Sequence, residues 1–392
     1  MTTVDRRRFL ELGALGGALG VGIPELAFGN QTGRAVASVT DADDRRVYLT
    51  GDGLSLTPGQ YGRLLTRLVE ERGIAPDNYI LGGVVDELET QFARILGKER
   101  AVFMPTGTLA NQLAIRALAA GSSRAVVQAE SHLYMDSGDC VQTLSNITLM
   151  PLGPGRATFT VDELTRVLNE TRGGRVVPRV SVIQIETPVR RKQGEAFGAT
   201  QMALVVAAAK REGIKLHLDG ARLFLEAGYT GRSVTDYTAP FDTVYVSLYK
   251  YFNAAAGAIL AGPRALLDDI YHTRRMYGGA LNHGWPYAAV ALHYLDGFSE
   301  RFARAIRVSD DLIRALDRVD GVAVERIPSG TNLFRLRVMR TSASGLQKRL
   351  AARGIVLANP TEDGTFLVGV NESWNRTAGA ELADAFVREM AV

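Results

Sequence analysis

The sequence has few of the residues on which several familiar kinds of functional site depend. Cys140 is the one cysteine among the 392 residues, which excludes an intrachain disulfide and a cysteine-based metal cage. The five histidines are scattered and form no HExxH pair, the signature of one class of zinc enzyme. No GxGxxG turn opens a helix, which argues against a dinucleotide-dependent dehydrogenase.

The chain also lacks a block of basic residues beyond its N-terminal segment. Its 45 lysines and arginines nearly balance 42 aspartates and glutamates, for a net charge of +3. Nucleic acid and anionic membranes attract dense positive charge, so we expect neither as a partner. Hydrophobic residues make up 46% of the sequence and charged residues 22%, which is typical of a folded globular protein. The length is sufficient for a large and a small domain.

The first thirty residues differ from the rest of the chain. Three arginines at residues 6–8 precede Phe9 and Leu10, and a stretch rich in Gly, Ala and Leu follows over residues 12–23. This pattern predicts a twin-arginine signal segment at residues 1–30 and a periplasmic or secreted protein. The apolar run is shorter than the ~20 residues of a membrane-spanning helix, so we expect no stable membrane insertion. The alternative is a basic N-terminus without a targeting role.

Short β-rich runs alternate with longer helical runs from about residue 58 onward. The strand candidates lie at residues 101–104, 125–128, 147–150, 180–186, 215–219, 243–247 and 258–261. Such alternation predicts an α/β fold, with a mainly parallel sheet flanked by helices on both faces.

The regular alternation of predicted strands and helices changes near residue 290. One long helix or two are predicted over residues 287–316, followed by strands at 322–325 and 333–338, a helix at 345–353, a short strand and a terminal helix. We therefore predict three regions: the signal segment at residues 1–30, a large domain at 31–290 and a small C-terminal α+β domain at 291–392.

Two predicted strands end in side chains that carry chemistry. The apolar run LHLDGAR ends at Asp219, and small residues and Arg222 follow at once. About thirty residues later a second strand ends at Ser247, and Lys250 follows it. Ligands of open α/β sheets bind beyond the carboxyl ends of the strands, so both ends are well placed for a site. Alone, such an aspartate is usually a cap and such a lysine is usually solvated.

Pyridoxal phosphate (PLP) is a cofactor that needs this pair of residues. A carboxylate beside the pyridine nitrogen keeps the nitrogen protonated, which makes the ring an electron sink. A lysine amine holds the cofactor aldehyde as a Schiff base and is displaced by an amino acid. We therefore predict PLP, with Lys250 as the Schiff-base lysine.

Two further motifs fit the same cofactor. A phosphate binds well to backbone N–H groups at a helix N-terminus, and Thr106, Gly107 and Thr108 lie at a predicted strand-to-helix turn. The alternative is a threonine-capped helix without a ligand. His132 follows the predicted strand at 125–128 and is a candidate to stack on the PLP ring. The alternative is a hydrogen-bonded histidine that contacts no cofactor.

The order of the motifs TGTLAN, SHLY, IETP, HLDGARL, SLYK and RRMYGG resembles the threonine aldolase/β-eliminating lyase family, from about residue 48 to the end. The family belongs to the fold-type I, aspartate-aminotransferase-like PLP enzymes. Members form homodimers or homotetramers with active sites at the subunit interface. The resemblance implies the following roles: Lys250 as the Schiff-base lysine, Asp219 beside the pyridine nitrogen, His132 on the ring, Thr106, Gly107 and Thr108 on the phosphate, Ser247 with the cofactor, and Arg222 on the cofactor or the substrate carboxylate.

The sequence departs from the family pattern at several positions. Tyr249 and Tyr251 flank Lys250 where typical members have Ser and Gly, and residues 186–189 read ETPV where they have ENTH. The C-terminal strand at residues 365–370 lacks the family's arginine for the substrate carboxylate.

Arg190 is a candidate replacement for that missing arginine. It follows the predicted strand at 180–186, so we expect it to share the substrate carboxylate with Arg222. The alternative is that Arg190 belongs to a solvated basic cluster with Arg191 and Lys192.

The resemblance predicts retro-aldol cleavage of a threonine-like β-hydroxy-α-amino acid to glycine and an aldehyde. His132, or a water that it holds, is the candidate base for the β-hydroxyl proton. The first alternative is β-elimination or another PLP reaction on an amino acid. The second is an exported α/β protein that binds a nucleotide or another ligand without PLP.

Overall fold

The computed structural model describes residues 45–173 and 175–391. The predicted signal segment at residues 1–30 lies outside the described residues, and the boundary between the two domains near residue 290 stays a prediction. Among the described residues, no helix combines the length and the apolar character that a membrane crossing requires.

The strands and helices alternate through most of the described chain. The strands are β1 Val47–Tyr48, β2 Arg100–Met104, β3 Arg124–Gln128, β4 Thr148–Leu152, β5 Val180–Glu186, β6 Lys215–Asp219, β7 Thr243–Ser247, β8 Ala258–Gly262, β9 Val322–Arg326, β10 Leu333–Val338, β11 Ile355–Val356 and β12 Thr365–Gly369. The helices are α1 Pro58–Arg72, α2 Gly83–Ile95, α3 Gly107–Ala119, α4 His132–Met135, α5 Cys140–Ser145, α6 Val161–Arg172, α7 Ala199–Glu212, α8 Leu223–Thr230, α9 Val234–Thr238, α10 Arg264–Leu267, α11 Ile270–Met276, α12 Trp285–Leu295, α13 Phe298–Leu316, α14 Ala343–Ala352 and α15 Gly379–Met390. Short 3₁₀ turns occupy Arg190–Lys192 and Glu372–Arg376.

Local sequence signals explain where several helices begin and end. Thr57 caps α1, since its hydroxyl accepts from the Gln60 N–H while the Gln60 side chain accepts from the Thr57 N–H. Pro58 occupies the first turn of α1, where its missing N–H costs nothing. Gly73 ends the helix in the left-handed conformation, which glycine adopts without strain.

Seven strands form the central sheet, in the order β2-β8-β7-β6-β5-β3-β4. β8 runs antiparallel to both of its neighbours, and the other strands are parallel to one another. Every residue of β5, β7 and β8 is buried, as expected for strands covered by helices on both faces. The predicted mainly parallel α/β sheet is confirmed.

A smaller sheet lies in the C-terminal part of the chain, as predicted. Its three antiparallel strands have the order β12-β10-β9. The predicted helical stretch over residues 287–316 consists of two helices, α12 and α13, separated at Asp296 and Gly297. Gly297 has a positive φ of 63°, which suits the break between them.

The segment at residues 47–53 begins with β1, which forms a separate two-stranded sheet with β11. β1 pairs in parallel with β11, and the amide of Asn371 donates to the carbonyls of Tyr48, Thr50 and Gly51. We call this segment the N-terminal strap. Because Asn371 immediately follows the smaller sheet, the strap is tied to the C-terminal part of the chain.

Candidate active site

Several strands of the central sheet end in polar residues at one common edge. β5 ends at Glu186, β6 ends at Asp219, and Lys250 lies three residues beyond the end of β7. Because these strands are parallel neighbours, their carboxyl ends and the residues that follow gather on the same side of the sheet.

A cavity of about 800 Å³ opens at this edge. Five of the predicted site residues line it: His132, Arg190, Asp219, Arg222 and Lys250. Thr106, Gly107, Thr108 and Ser247 are not among its lining residues. The structure therefore brings the predicted catalytic and substrate-binding groups together in one cavity, whereas the predicted phosphate-binding groups do not line it.

Asp219 is the most deeply buried acid in the cavity wall, with 1% of its surface exposed. Its Oδ2 accepts a hydrogen bond from the Asn111 side-chain amide at 2.7 Å, and its Oδ1 accepts from the Ala221 N–H at 3.1 Å. Both donors are neutral. The carboxylate therefore keeps its negative charge available for a cationic group in the cavity.

Lys250 is surrounded by aromatic side chains. Its Nζ lies 3.4 Å from the Tyr249 hydroxyl and 6.0 Å from the centre of the Tyr245 ring. The N-terminal strap closes over its backbone at Gly53, where a side-chain carbon would lie 2.2 Å from the Lys250 carbonyl oxygen. Only glycine fits between the strap and the lysine loop.

Gly107 and Thr106 stand at the N-terminus of α3, as predicted. Thr106 caps the helix by accepting a hydrogen bond from the Leu109 N–H at 3.2 Å. A side-chain carbon on Gly107 would lie 2.0 Å from the hydroxyl of Tyr245, a cavity-lining residue. The first turn of α3 therefore abuts the cavity wall through Tyr245, with its N–H groups at the end of the helix that attracts a phosphate.

Glu186 is a site residue that the sequence reasoning did not assign. Its two oxygens accept backbone N–H groups from His132 at 2.6 Å and from Arg190 at 2.9 Å. Burial, together with the nearby charge of Asp219, raises the pKa of Glu186 to about 7. One carboxylate therefore fixes the backbone of two predicted site residues. Glu186 is the last residue of a fully buried strand, and Asp219 is likewise the last residue of its strand. This position in the sequence could have identified Glu186 as a site residue.

His132 and Arg190 share a second acidic partner. Asp136 Oδ2 lies 3.6 Å from His132 Nδ1 and 3.6 Å from a terminal nitrogen of Arg190. Arg191 donates to Asp136 Oδ1 at 3.2 Å. The Arg190 side chain is 55% exposed, so it lies at the mouth of the cavity rather than in its floor.

Arg222 lies deeper in the cavity and is held by the N-terminal strap. Its Nε donates to Asp52 Oδ2 at 2.8 Å, and Asp52 also accepts from the Asn332 side-chain amide at 3.3 Å. Burial lowers the pKa of Arg222, but the charge and hydrogen bond of Asp52 raise it overall. Within residues 45–173 and 175–391, no hydrogen bond engages the terminal amino groups of Arg222, which leaves them to bind an anion in the cavity.

The C-terminal strand provides no cationic side chain, as the sequence indicated. β12 contains Phe366, which is fully buried and pairs with Leu336 of β10. The arginines available at this cavity are therefore Arg190 and Arg222, among the residues that line it.

The residues present fit PLP. A buried carboxylate, a lysine amine and an imidazole line one cavity, and a helix N-terminus lies against its wall. With PLP bound, such groups would keep the pyridine nitrogen protonated, bind the aldehyde, cover the ring and hold the phosphate. In the part of the chain that the structure describes, no group of three or more His, Cys, Asp or Glu side chains is arranged to hold a metal ion. The fold and the site together define a PLP-binding enzyme of fold type I.

The sequence profile of the family described as beta-eliminating lyase matches residues 77–338. The chain belongs to this family. Low-specificity L-threonine aldolase 1 from Arabidopsis thaliana is 24% identical over 275 residues, which cover 69% of this chain and 77% of that protein. An alanine racemase from Cochliobolus carbonum is 30% identical over 206 residues, which cover 52% of each protein.

Solved structures agree with this assignment. A candidate L-allo-threonine aldolase from Listeria monocytogenes EGD-E superposes with a TM-score of 0.72 at 28% identity, covering 88% of this chain and 95% of that one. A candidate aromatic amino acid beta-eliminating lyase/threonine aldolase from Exiguobacterium sp. 255-15 gives a TM-score of 0.73 at 25% identity, covering 89% and 98%. The predicted family, the fold-type I architecture, PLP and the class of PLP-dependent carbon–carbon lyases are confirmed.

We predict that Lys250 carries the covalent link to PLP, and a trapping experiment tests this prediction. Borohydride reduction of the holoenzyme should fix the cofactor on Lys250, since that amine lines the cavity with Asp219. Lys250→Ala should lose both the adduct and the visible absorption band. Lys215→Ala is the matched control, because Lys215 pairs with Asp242 on the protein surface and should not affect the adduct. Peptide mapping of an adduct to a lysine other than Lys250 would contradict the assignment.

Proposed function

We propose that the protein cleaves a threonine-like β-hydroxy-α-amino acid to glycine and an aldehyde by breaking the Cα–Cβ bond. The observation that carries this proposal is the single cavity that Asp219, Lys250 and His132 line together with two arginines. Curated relatives named as low-specificity L-threonine aldolases support the same reaction.

When bound, PLP supplies an electron sink for the pair of electrons released from Cα. Asp219 holds the proton on the pyridine nitrogen, because its charge is buried and its own hydrogen-bond donors are neutral. Lys250 Nζ would hold the cofactor aldehyde until the substrate amine displaces it, and the freed amine would then return a proton to the product. In the structure, Nζ lies 3.4 Å from the Tyr249 hydroxyl.

His132, or a water that it holds, takes the proton of the β-hydroxyl group. Glu186 fixes the His132 backbone through a 2.6 Å hydrogen bond. Asp136 lies 3.6 Å from Nδ1, where its charge stabilises the imidazolium that forms when the ring accepts a proton. Arg222 and Arg190 bind the substrate carboxylate, since an unpaired charge in the cavity is costly.

The second candidate is another PLP reaction on an amino acid, either β-elimination or proton exchange at Cα. The similarity to an alanine racemase supports this second candidate. Cα–H and Cα–Cβ cleavage use the same electron sink and differ in which bond stands perpendicular to the ring.

We also propose that the protein assembles as a homodimer or homotetramer. We propose that twin-arginine export carries it to the periplasm or to the exterior of the cell.

Product analysis separates these reactions. Incubation of the PLP-loaded enzyme with threonine and with phenylserine should yield glycine plus acetaldehyde or benzaldehyde. Lys250→Ala should yield neither, because it lacks the amine that exchanges with the substrate. Formation of a 2-oxo acid and ammonia instead would establish β-elimination, and conversion of L-alanine to D-alanine without aldehyde would establish racemisation.

The two-arginine arrangement predicts a defined kinetic defect. Arg190→Ala should raise KM and lower kcat/KM by roughly tenfold to a hundredfold, the range for one lost charge-assisted hydrogen bond. Cofactor content should stay the same, because Arg222 and the cofactor groups are untouched. Arg191→Ala is the matched control, since Arg191 contacts the same Asp136 without lining the cavity. Wild-type kinetics for Arg190→Ala would place Arg190 in a solvated basic cluster with Arg191 and Lys192.

The export proposal rests on the RRxFL pattern at residues 6–10. Residues 1–30 fused to a reporter that works only outside the cytoplasm should direct its export. Changing Arg6 and Arg7 to lysine should abolish export, because twin-arginine signals are read at that pair. Arg8→Lys, at the variable position of the pattern, should export normally. Export that survives the double change would refute a twin-arginine route.

A further inference from the structure

A chain of hydrogen bonds continues from Asp219 into the interior, away from the cavity. His217 lies two residues before Asp219 on β6, so both side chains face the same side of the sheet, toward α3. Asn111 of α3 lies between them: its Nδ2 donates to Asp219, and its Oδ1 lies 2.8 Å from His217 Nε2. Thr243, the neighbour of His217 on β7, places its hydroxyl 2.8 Å from Nδ1.

Asp219 at one end and the Thr243 hydroxyl at the other together set the direction of the hydrogen bonds in this chain. A carboxylate only accepts, so the Asn111 NH₂ group faces Asp219 and the Asn111 oxygen faces His217. That oxygen only accepts, so His217 carries its proton on Nε2. Burial lowers the pKa of His217 to about 3, so the ring is neutral and Nδ1 has no proton. Nδ1 therefore accepts from the Thr243 hydroxyl, and all the donors point toward Asp219.

We propose that Thr243 and His217 are positioning residues that hold the Asn111 amide with its NH₂ group toward Asp219, so that this carboxylate stays a hydrogen-bonded anion aimed at the pyridine nitrogen. This inference rests on the role of Asp219 in the proposed function. It goes beyond that function by assigning a purpose to three buried polar residues that contact no substrate.

The neutrality of the chain is the physical basis of the proposal. A cation hydrogen-bonded to Asp219 from behind would neutralise the carboxylate and weaken its hold on the pyridinium proton. Oriented neutral dipoles instead stabilise the anion and leave its net charge for the cofactor. Because His217 and Asn111 are each fully buried, no water replaces a donor that is lost.

The experiment removes the Thr243 hydroxyl while keeping the shape of the side chain. In Thr243→Val, Nδ1 loses its donor, and the ring gains by moving its proton to Nδ1, where the backbone carbonyl of residue 243 accepts it. Nε2 then has no proton to donate to the Asn111 oxygen, so the Asn111 amide is no longer held in one orientation and Asp219 loses a fixed N–H donor. Thr243→Ser is the matched control because it keeps the hydroxyl.

Nitrogen-15 NMR of the histidine rings in the cofactor-free protein reports the tautomer independently of any reaction. We expect the Nε2–H form in the wild type and Thr243→Ser, and a clear Nδ1–H population in Thr243→Val. In the PLP-loaded protein, kcat for whichever amino-acid reaction the product assay identifies should fall roughly tenfold in Thr243→Val, with KM within about twofold of wild type. Thr243→Ser should retain wild-type kinetics.

Several results would overturn the proposal. An Nδ1–H tautomer in the wild type would reverse the direction of the chain. A changed tautomer with unchanged kcat, or a reduced kcat with an unchanged tautomer, would break the link between the chain and Asp219. The histidine tautomer is measured without any reaction, so an absence of aldol cleavage would contradict the proposed function but would not change the tautomer result. The failure of one proposal can therefore be distinguished from the failure of the other.

Discussion

A buried negative charge at the centre of the sheet is the constraint on which the site depends. Asp219 ends β6, the fourth of seven strands, and is 1% exposed. A charge in that position is tolerated only if hydrogen bonds and an opposing charge compensate for lost hydration. The protein supplies the hydrogen bonds through Asn111 and the Ala221 N–H, and leaves the opposing charge to the ligand. The site is therefore built to be completed by a cation.

The neighbouring carboxylate shows how the protein divides the work between two acids at one edge. Glu186 ends the adjacent strand, paired in register with Asp219. Two ionised carboxylates so close would repel, and burial together with the charge of Asp219 raises the Glu186 pKa to about 7. The two oxygens of Glu186 instead accept hydrogen bonds from the backbone N–H groups of His132 and Arg190. One acid is left for the proposed cofactor contact, and the other fixes the backbone at two residues that line the cavity.

Much of this site could be predicted from the sequence because the information is local. The run at residues 180–186 matches β5 in full, since a continuous apolar strand carries its own pattern. Asp219 and Lys250 follow strands that parallel pairing brings to one edge, so motif order was enough to place them together. The antiparallel direction of β8 had no such signal, because a run of apolar residues reads the same in either direction.

The contacts that the sequence did not indicate join residues far apart in the chain. Asn111 reaches Asp219 across 108 residues, and Asp52 reaches Arg222 across 170. The local sequence around neither side chain predicts its partner. Asn111 lies on the buried face of an ordinary helix, and Asp52 lies between two glycines. Such pairings follow from the packed fold and not from spacing.

The N-terminal strap links the site to the C-terminal part of the chain. Asp52 accepts hydrogen bonds from Arg222 beside the central sheet and from Asn332, the residue before β10 of the smaller sheet. Asn371 holds the strap through three carbonyls, and Gly53 packs against the Lys250 carbonyl. Arg222 is therefore held by a segment that is itself bonded to residues adjoining the smaller sheet. The residues that line the cavity lie between positions 52 and 255, but the position of Arg222 among them depends on the strap, and therefore on contacts that the strap makes with the C-terminal part of the chain.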